Sequence, residues 1–95
     1  MNIIGVIWLE EVVDKLAWKH NVTTEEVEEV LGSSPQFRFL ERGKVAGEDL
    51  HAAFGQNDAG RYLTVLFIYK TSREALIVSA RDMKRNERRT YGRRK

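Results

Sequence analysis

The sequence predicts a single α+β domain over residues 1–95: two N-terminal helices, an antiparallel sheet of about four strands, and a short C-terminal helix. Three observations carry this. Leu9, Val12, Val13, Leu16 and Ala17 recur at three- and four-residue spacing, the period of one helix face. Thr23 followed three residues later by Glu26 is a capping box, the start signal of a second helix. Arg61 to Tyr69 is almost continuously apolar and β-branched or aromatic, which marks a strand central in its sheet.

The elements follow in the order βααββββα. Ile3–Trp8 is a short opening strand. The first helix runs from Leu9 to Asn21, where asparagine suits a helix stop. The second continues to Leu31 with Val27, Val30 and Leu31 facing inward, and Gly32-Ser33-Ser34-Pro35 ends it. Phe37–Glu41 reads as a strand, Arg42-Gly43-Lys44 as a turn, and His51–Gly55 as a weaker strand. Asn57-Asp58-Ala59-Gly60 is turn chemistry ahead of the central strand. Thr71-Ser72-Arg73-Glu74 turns the chain into Ala75–Ser79. Asp82 is placed to cap a last helix, Met83 to Tyr91, and Gly92 to break it before a mobile Arg93-Arg94-Lys95.

Composition narrows the class. At 42% hydrophobic and 32% charged, the chain is long enough for one core and too short for two. No run approaches the ~20 apolar residues of a membrane span, and no basic region precedes the first apolar run as in a secretory leader. Cysteine is absent, which excludes disulfides and thiolate metal sites. A cytoplasmic location is the default expectation, and no cofactor is implied.

The net charge of +2 hides an asymmetry. Residues 1–48 hold five basic and nine acidic side chains, and residues 49–95 hold eleven and five, so the halves carry −4 and +6. From Arg81 onward, Lys84, Arg85, Arg88, Arg89, Arg93, Arg94 and Lys95 are opposed only by Asp82 and Glu87. On one helix, Arg81, Lys84, Arg85 and Arg88 would share a face. Guanidinium forks match phosphate oxygens, and Tyr91 among them is placed to stack on a base or to pack on the sheet. A solvated basic helix accounts for the same residues equally well. Glu25, Glu26, Glu28 and Glu29 read as a solvated helix face, Trp8 and Trp18 as core or interface aromatics, and the lone His20 and His51 as structural more often than catalytic. No catalytic triad, phosphate-binding glycine loop or dinucleotide fingerprint is present.

The ordered pieces resemble a known family. Trp8, then Lys15-Leu16-Ala17-Trp18-Lys19-His20-Asn21-Val22, then Thr24-Glu25-Glu26 resemble the opening of BrnT-type toxins. Gly47-Glu48, Phe54-Gly55, Gly60 to Phe67, Ile77-Val78-Ser79-Ala80-Arg81 and Glu87-Arg88-Arg89-Thr90-Tyr91 follow the family's order and approximate spacing over nearly the whole chain. Asn21 stands where the family usually has glycine, Leu50 where it commonly has arginine, and Leu9-Glu10-Glu11 where an Asp-rich segment is usual.

The resemblance implies a RelE-like fold and the toxin of a type II toxin–antitoxin pair. Such a toxin is a metal-independent endoribonuclease that arrests growth by cutting RNA. A BrnA-like, DNA-binding antitoxin would neutralise it, and operator DNA would be reached only through that complex. On this reading Arg61, Arg81 and Arg88 stabilise phosphate and transition state, and His20 is the general acid or base, with Lys19 or Glu87 as substitutes. Lys19, His51, Lys84, Arg85, Arg89 and Tyr91 would bind RNA. The alternatives are a non-catalytic RNA- or DNA-binding module, or a diverged, inactive toxin acting only through a protein partner.

Overall fold

The computed structural model describes residues 1–93. Its strands are β1 (Gly5–Ile7), β2 (Gln36–Glu41), β3 (Leu50–Gln56), β4 (Tyr62–Tyr69) and β5 (Glu74–Asp82), and its α-helices are α1 (Glu10–Lys15), α2 (Thr24–Gly32) and α3 (Arg85–Arg93). The strands form one five-stranded sheet in the order β1-β5-β4-β3-β2. β4 takes the middle place, as its apolar run requires. The sheet is mixed rather than wholly antiparallel, because β1 pairs parallel to β5, Gly5 opposite Glu74 and Ile7 opposite Leu76. The remaining pairs are antiparallel.

The first helix differs from its expected form. Glu10–Lys15 is α-helical, Leu16–His20 continues as a π-helical segment, and Asn21 closes it in the left-handed region at φ 53°. The wider turn changes the phase of the apolar stripe, so Leu16 is buried while Leu9, Ala17 and Trp18 face solvent. Trp18, at 77% exposure, is therefore no core aromatic. Thr23 and Glu26 complete the capping box: the Thr23 hydroxyl accepts from the Glu26 N–H at 3.1 Å, and the Glu26 carboxylate accepts from the Thr23 N–H at 3.0 Å.

Strand alternation sorts the sheet into two faces. Ala53, Leu63, Val65, Phe67, Ala75, Ile77 and Ala80 look toward the π-helical segment and α2, where they pack with Leu16, Val22, Val27 and Val30 as the core. The other face is covered only at one end, by α3.

Two C-terminal expectations fail. β5 runs three residues past Ser79, so Asp82 ends a strand instead of capping a helix, and Arg81 cannot share a helix face with Lys84, Arg85 and Arg88. The helix begins at Arg85 and continues through Gly92 to Arg93, so Gly92 is no break there. Arg94 and Lys95 of the expected tail lie outside the described residues. Among the described residues no helix is long and apolar enough to cross a membrane.

Candidate nucleic-acid interface

Register builds the site. Arg81 pairs with Thr64, Thr64 with Phe54, and Phe54 with Gln36, so these residues form one row across β5, β4, β3 and β2 on the face opposite the core. α3 lies over the end of this row. Glu87, in the first turn of α3, reaches down and grips Arg81 with both oxygens, at 2.7 and 2.9 Å. The same carboxylate accepts from the buried Thr64 hydroxyl at 3.0 Å and from the Lys84 backbone N–H at 2.8 Å. It therefore caps its own helix while pinning it to the sheet. The Arg81 guanidinium beside Glu87 holds that carboxyl down at about 2 despite its burial.

The neighbouring cations, Lys84 just before α3 and the arginines on it, are free of such pairing among the described residues. Lys84, Arg85 and Arg89 are exposed, and none forms an ion pair among the described residues. Arg88 lays its guanidinium 4.0 Å above the Tyr62 ring. Tyr91 is buried and meets Tyr62 edge to face at 6.0 Å, so of its two expected roles the structure displays packing on the sheet.

Arg61, His20 and Lys19 belong to the other face of the same sheet end. Every nitrogen of the Arg61 guanidinium is engaged. Nε donates to Asp82 at 2.8 Å, Nη1 to the Asn21 carbonyl at 2.8 Å and to Glu26 at 3.2 Å, and Nη2 to the His20 carbonyl at 3.2 Å. Arg61 thus ties the end of the π-helical segment to α2 and β5. The Asp82 carboxyl is lowered by the Arg61 hydrogen bond foremost and, less strongly, by the nearby His20. Lys19 is exposed. Arg81 and Asp82, adjacent in β5, put the Glu87 knot and the Arg61 knot on opposite faces of one strand end.

His51 is not brought to either knot. It lies at the start of β3 on the core face, stacked on Phe67 at 5.7 Å and edge to face with Phe39 and Tyr69. Leu50 beside it faces away from the core, paired with Ile68, in a half-buried apolar patch at the end of the sheet remote from α3. The acidic face of α2 also proves more than solvated surface. Glu26 binds Arg61 and Asn57, Glu28 accepts from the Trp8 indole at 3.0 Å, and Glu29 from the Asp58 N–H at 3.0 Å.

Sequence reasoning missed Thr64, Phe54 and Gln36 because nothing in a single sequence states which residues stand opposite each other across strands. Arg38 had a readable signal: it alternates with Phe37 and Phe39, so it must face away from them. Among the described residues no three His, Asp or Glu side chains gather in a way that could hold a metal ion.

The family model described as "Ribonuclease toxin, BrnT, of type II toxin-antitoxin system" matches residues 8–87. The chain belongs to this family of ribonuclease toxins, whose type II pairing implies a protein antitoxin and an RNA substrate. No curated protein matches the chain.

Proposed function

We propose that this chain is an endoribonuclease whose RNA strand lies along α3. The observation that carries the reading is the arrangement of that helix: Arg85, Arg88 and Arg89 stand exposed on an element whose root is fixed to the sheet by Arg81 and Glu87. A helix already anchored spends little backbone ordering entropy when a phosphate arrives, and cleavage needs a well-placed scaffold.

Cleavage would proceed without a metal, by in-line attack of the neighbouring 2′-hydroxyl on phosphorus. A proton leaves that hydroxyl, the P–O5′ bond breaks, and a proton returns to the 5′-oxygen, leaving a 2′,3′-cyclic phosphate. Arg88, with Arg85, Arg89 and Lys84 alongside, holds phosphate and the charge of the phosphorane. His20, close to the Asp82 carboxylate on the other face of the same sheet end, is the group proposed for the proton, and the RNA strand would have to bend round the end of β5 from α3 to reach it. Glu87 is a poor candidate for that step, since it stays ionised and both its oxygens are occupied. Arg61 acts by holding the His20 and Asn21 carbonyls in place rather than by touching phosphate. A BrnA-like antitoxin would neutralise the enzyme and carry the contact with operator DNA.

A second reading has its own observation. Arg61, just before β4, and Arg81, in β5, are both tied to carboxylates, which suits a module that binds nucleic acid without cutting it. One experiment separates the two. Purified chain is incubated with single-stranded RNA in the presence of a chelator, and the ends of the products are analysed. Fragments ending in 2′,3′-cyclic phosphate are expected. RNA that is bound but remains intact would replace the enzyme reading with the binding module.

A further inference from the structure

α3 has a second side that the charge pattern does not explain. A cavity of about 370 Å³ opens between α3 and the strands β2 and β3. Its floor is Phe54, half-buried in the row that runs from Arg81 to Gln36. One wall is Asn86 and Thr90, four residues apart and so on one side of the helix. The other wall is Gln36 and Arg38, two residues apart and so on one face of β2.

The chemistry of this lining differs from that of the arginines outside. Gln36 donates its amide nitrogen to the Tyr91 carbonyl at 3.1 Å, which fixes its position and leaves the carboxamide oxygen turned to other partners. The Asn86 carboxamide and the Arg38 guanidinium bond to nothing among the described residues. Glu87 closes the inner end with a carboxylate whose charge Arg81 already matches, so no free cation at the back draws a phosphate inward. An aromatic floor, carboxamides offering donor and acceptor together, one guanidinium, and a closed ion pair at the back suit the uncharged, planar part of a nucleotide. The sheet closes the cavity from below, so a base must leave any stack to enter it.

We propose that this cavity is a nucleobase subsite, taking one unpaired base of the strand whose phosphates lie on Arg85, Arg88 and Arg89. The subsite rests on the RNA reading above. It gives the protein a means of choosing where on a strand it acts, which a row of arginines does not supply.

The test uses the full chain, isotope-labelled for NMR, titrated with four homopolymeric 2′-O-methyl tetranucleotides. These keep RNA geometry, and the blocked 2′-oxygen prevents attack. Inorganic phosphate is the control. The tetranucleotides are expected to shift the Asn86 and Gln36 side-chain amides and the Phe54 signals, while phosphate shifts α3 arginines alone. One base is expected to bind about fivefold or more tightly than another, the scale of one good base contact. Asn86→Ala, at an exposed position, and Arg38→Ala are each expected to flatten that preference with the fold intact. Shifts confined to Arg85, Arg88 and Arg89, or a preference unchanged in both variants, overturn the subsite. RNA cutting is assayed in parallel. Cutting without shifts at Asn86 and Phe54 ends the subsite and leaves the nuclease standing, whereas those shifts without cutting uphold the subsite and end the nuclease.

Discussion

Glu87 and Arg81 form a two-pronged ion pair, 2.7 and 2.9 Å, that fastens α3 to the last strand of the sheet. Only about a fifth of either side chain is exposed, 16% for Glu87 and 24% for Arg81, so water screens the pair weakly. Its removal leaves a guanidinium and the Thr64 hydroxyl without their shared partner.

Glu87→Gln is expected to cost roughly 2 kcal/mol at neutral pH, within the range for breaking a hydrogen-bonded charge pair. The folded carboxyl sits near 2, below its ordinary 4.5, so the stability it adds is complete above 4.5 and gone once pH has fallen through about 2. Urea unfolding of both proteins between pH 7 and pH 2.5 checks this. A gap that stays constant on acidification contradicts it.

Arg61→Lys should be almost as damaging as Arg61→Ala, roughly 2 kcal/mol, because an ammonium cannot serve Asp82, Glu26 and two carbonyls arranged for a planar fork. Thermal unfolding measures it. A lysine variant as stable as the parent would mean the fork geometry is unimportant.

Arg85→Ala and Arg89→Ala should leave stability within about 0.5 kcal/mol, since both side chains are exposed. Each should weaken RNA binding and reduce the slope of log affinity against log salt by about one. Titrations at several salt concentrations decide it, and unchanged slopes would move the strand elsewhere.

His20→Ala should lower the cleavage rate by roughly a hundredfold or more while RNA affinity stays near that of the parent, the signature of a proton-transfer group. Single-turnover kinetics at saturating enzyme separate the two quantities. Full activity in the variant removes His20 from the chemistry.

Asn21→Gly should be neutral in stability and Asn21→Val costly by about 1–2 kcal/mol, because position 21 is left-handed and a branched side chain resists that conformation. Chemical denaturation compares the three proteins, and a stable valine variant would contradict the left-handed closure.

Local signals were legible and cross-chain ones were not. The capping box at Thr23, the turn at Gly60 with its φ of 90°, and the centrality of β4 all follow from neighbours within a few residues. The length of β5 was not readable, because Ala80, Arg81 and Asp82 continue the strand only by virtue of what faces them: Val65, Thr64 and Leu63. That one misreading placed Arg81 on a helix. It also hid the separation of Arg61 and Arg81 onto opposite faces, which no pattern of charges along a chain can reveal. The parallel place of β1 was hidden for the same reason, since three residues carry too little pattern to name a distant partner.

That first strand sets an order of events. Gly5, Val6 and Ile7 pair only with Glu74, Ala75 and Leu76, so β1 settles only after a strand far along the chain is in place. β4 and β5 can close as a local hairpin, whereas β1 must find a partner far along the chain. A chain that stops before β5 lacks both the strand that β1 pairs with and Arg81, the anchor of α3. The basic helix α3 is thus mounted only once β5 stands in the sheet between β1 and β4.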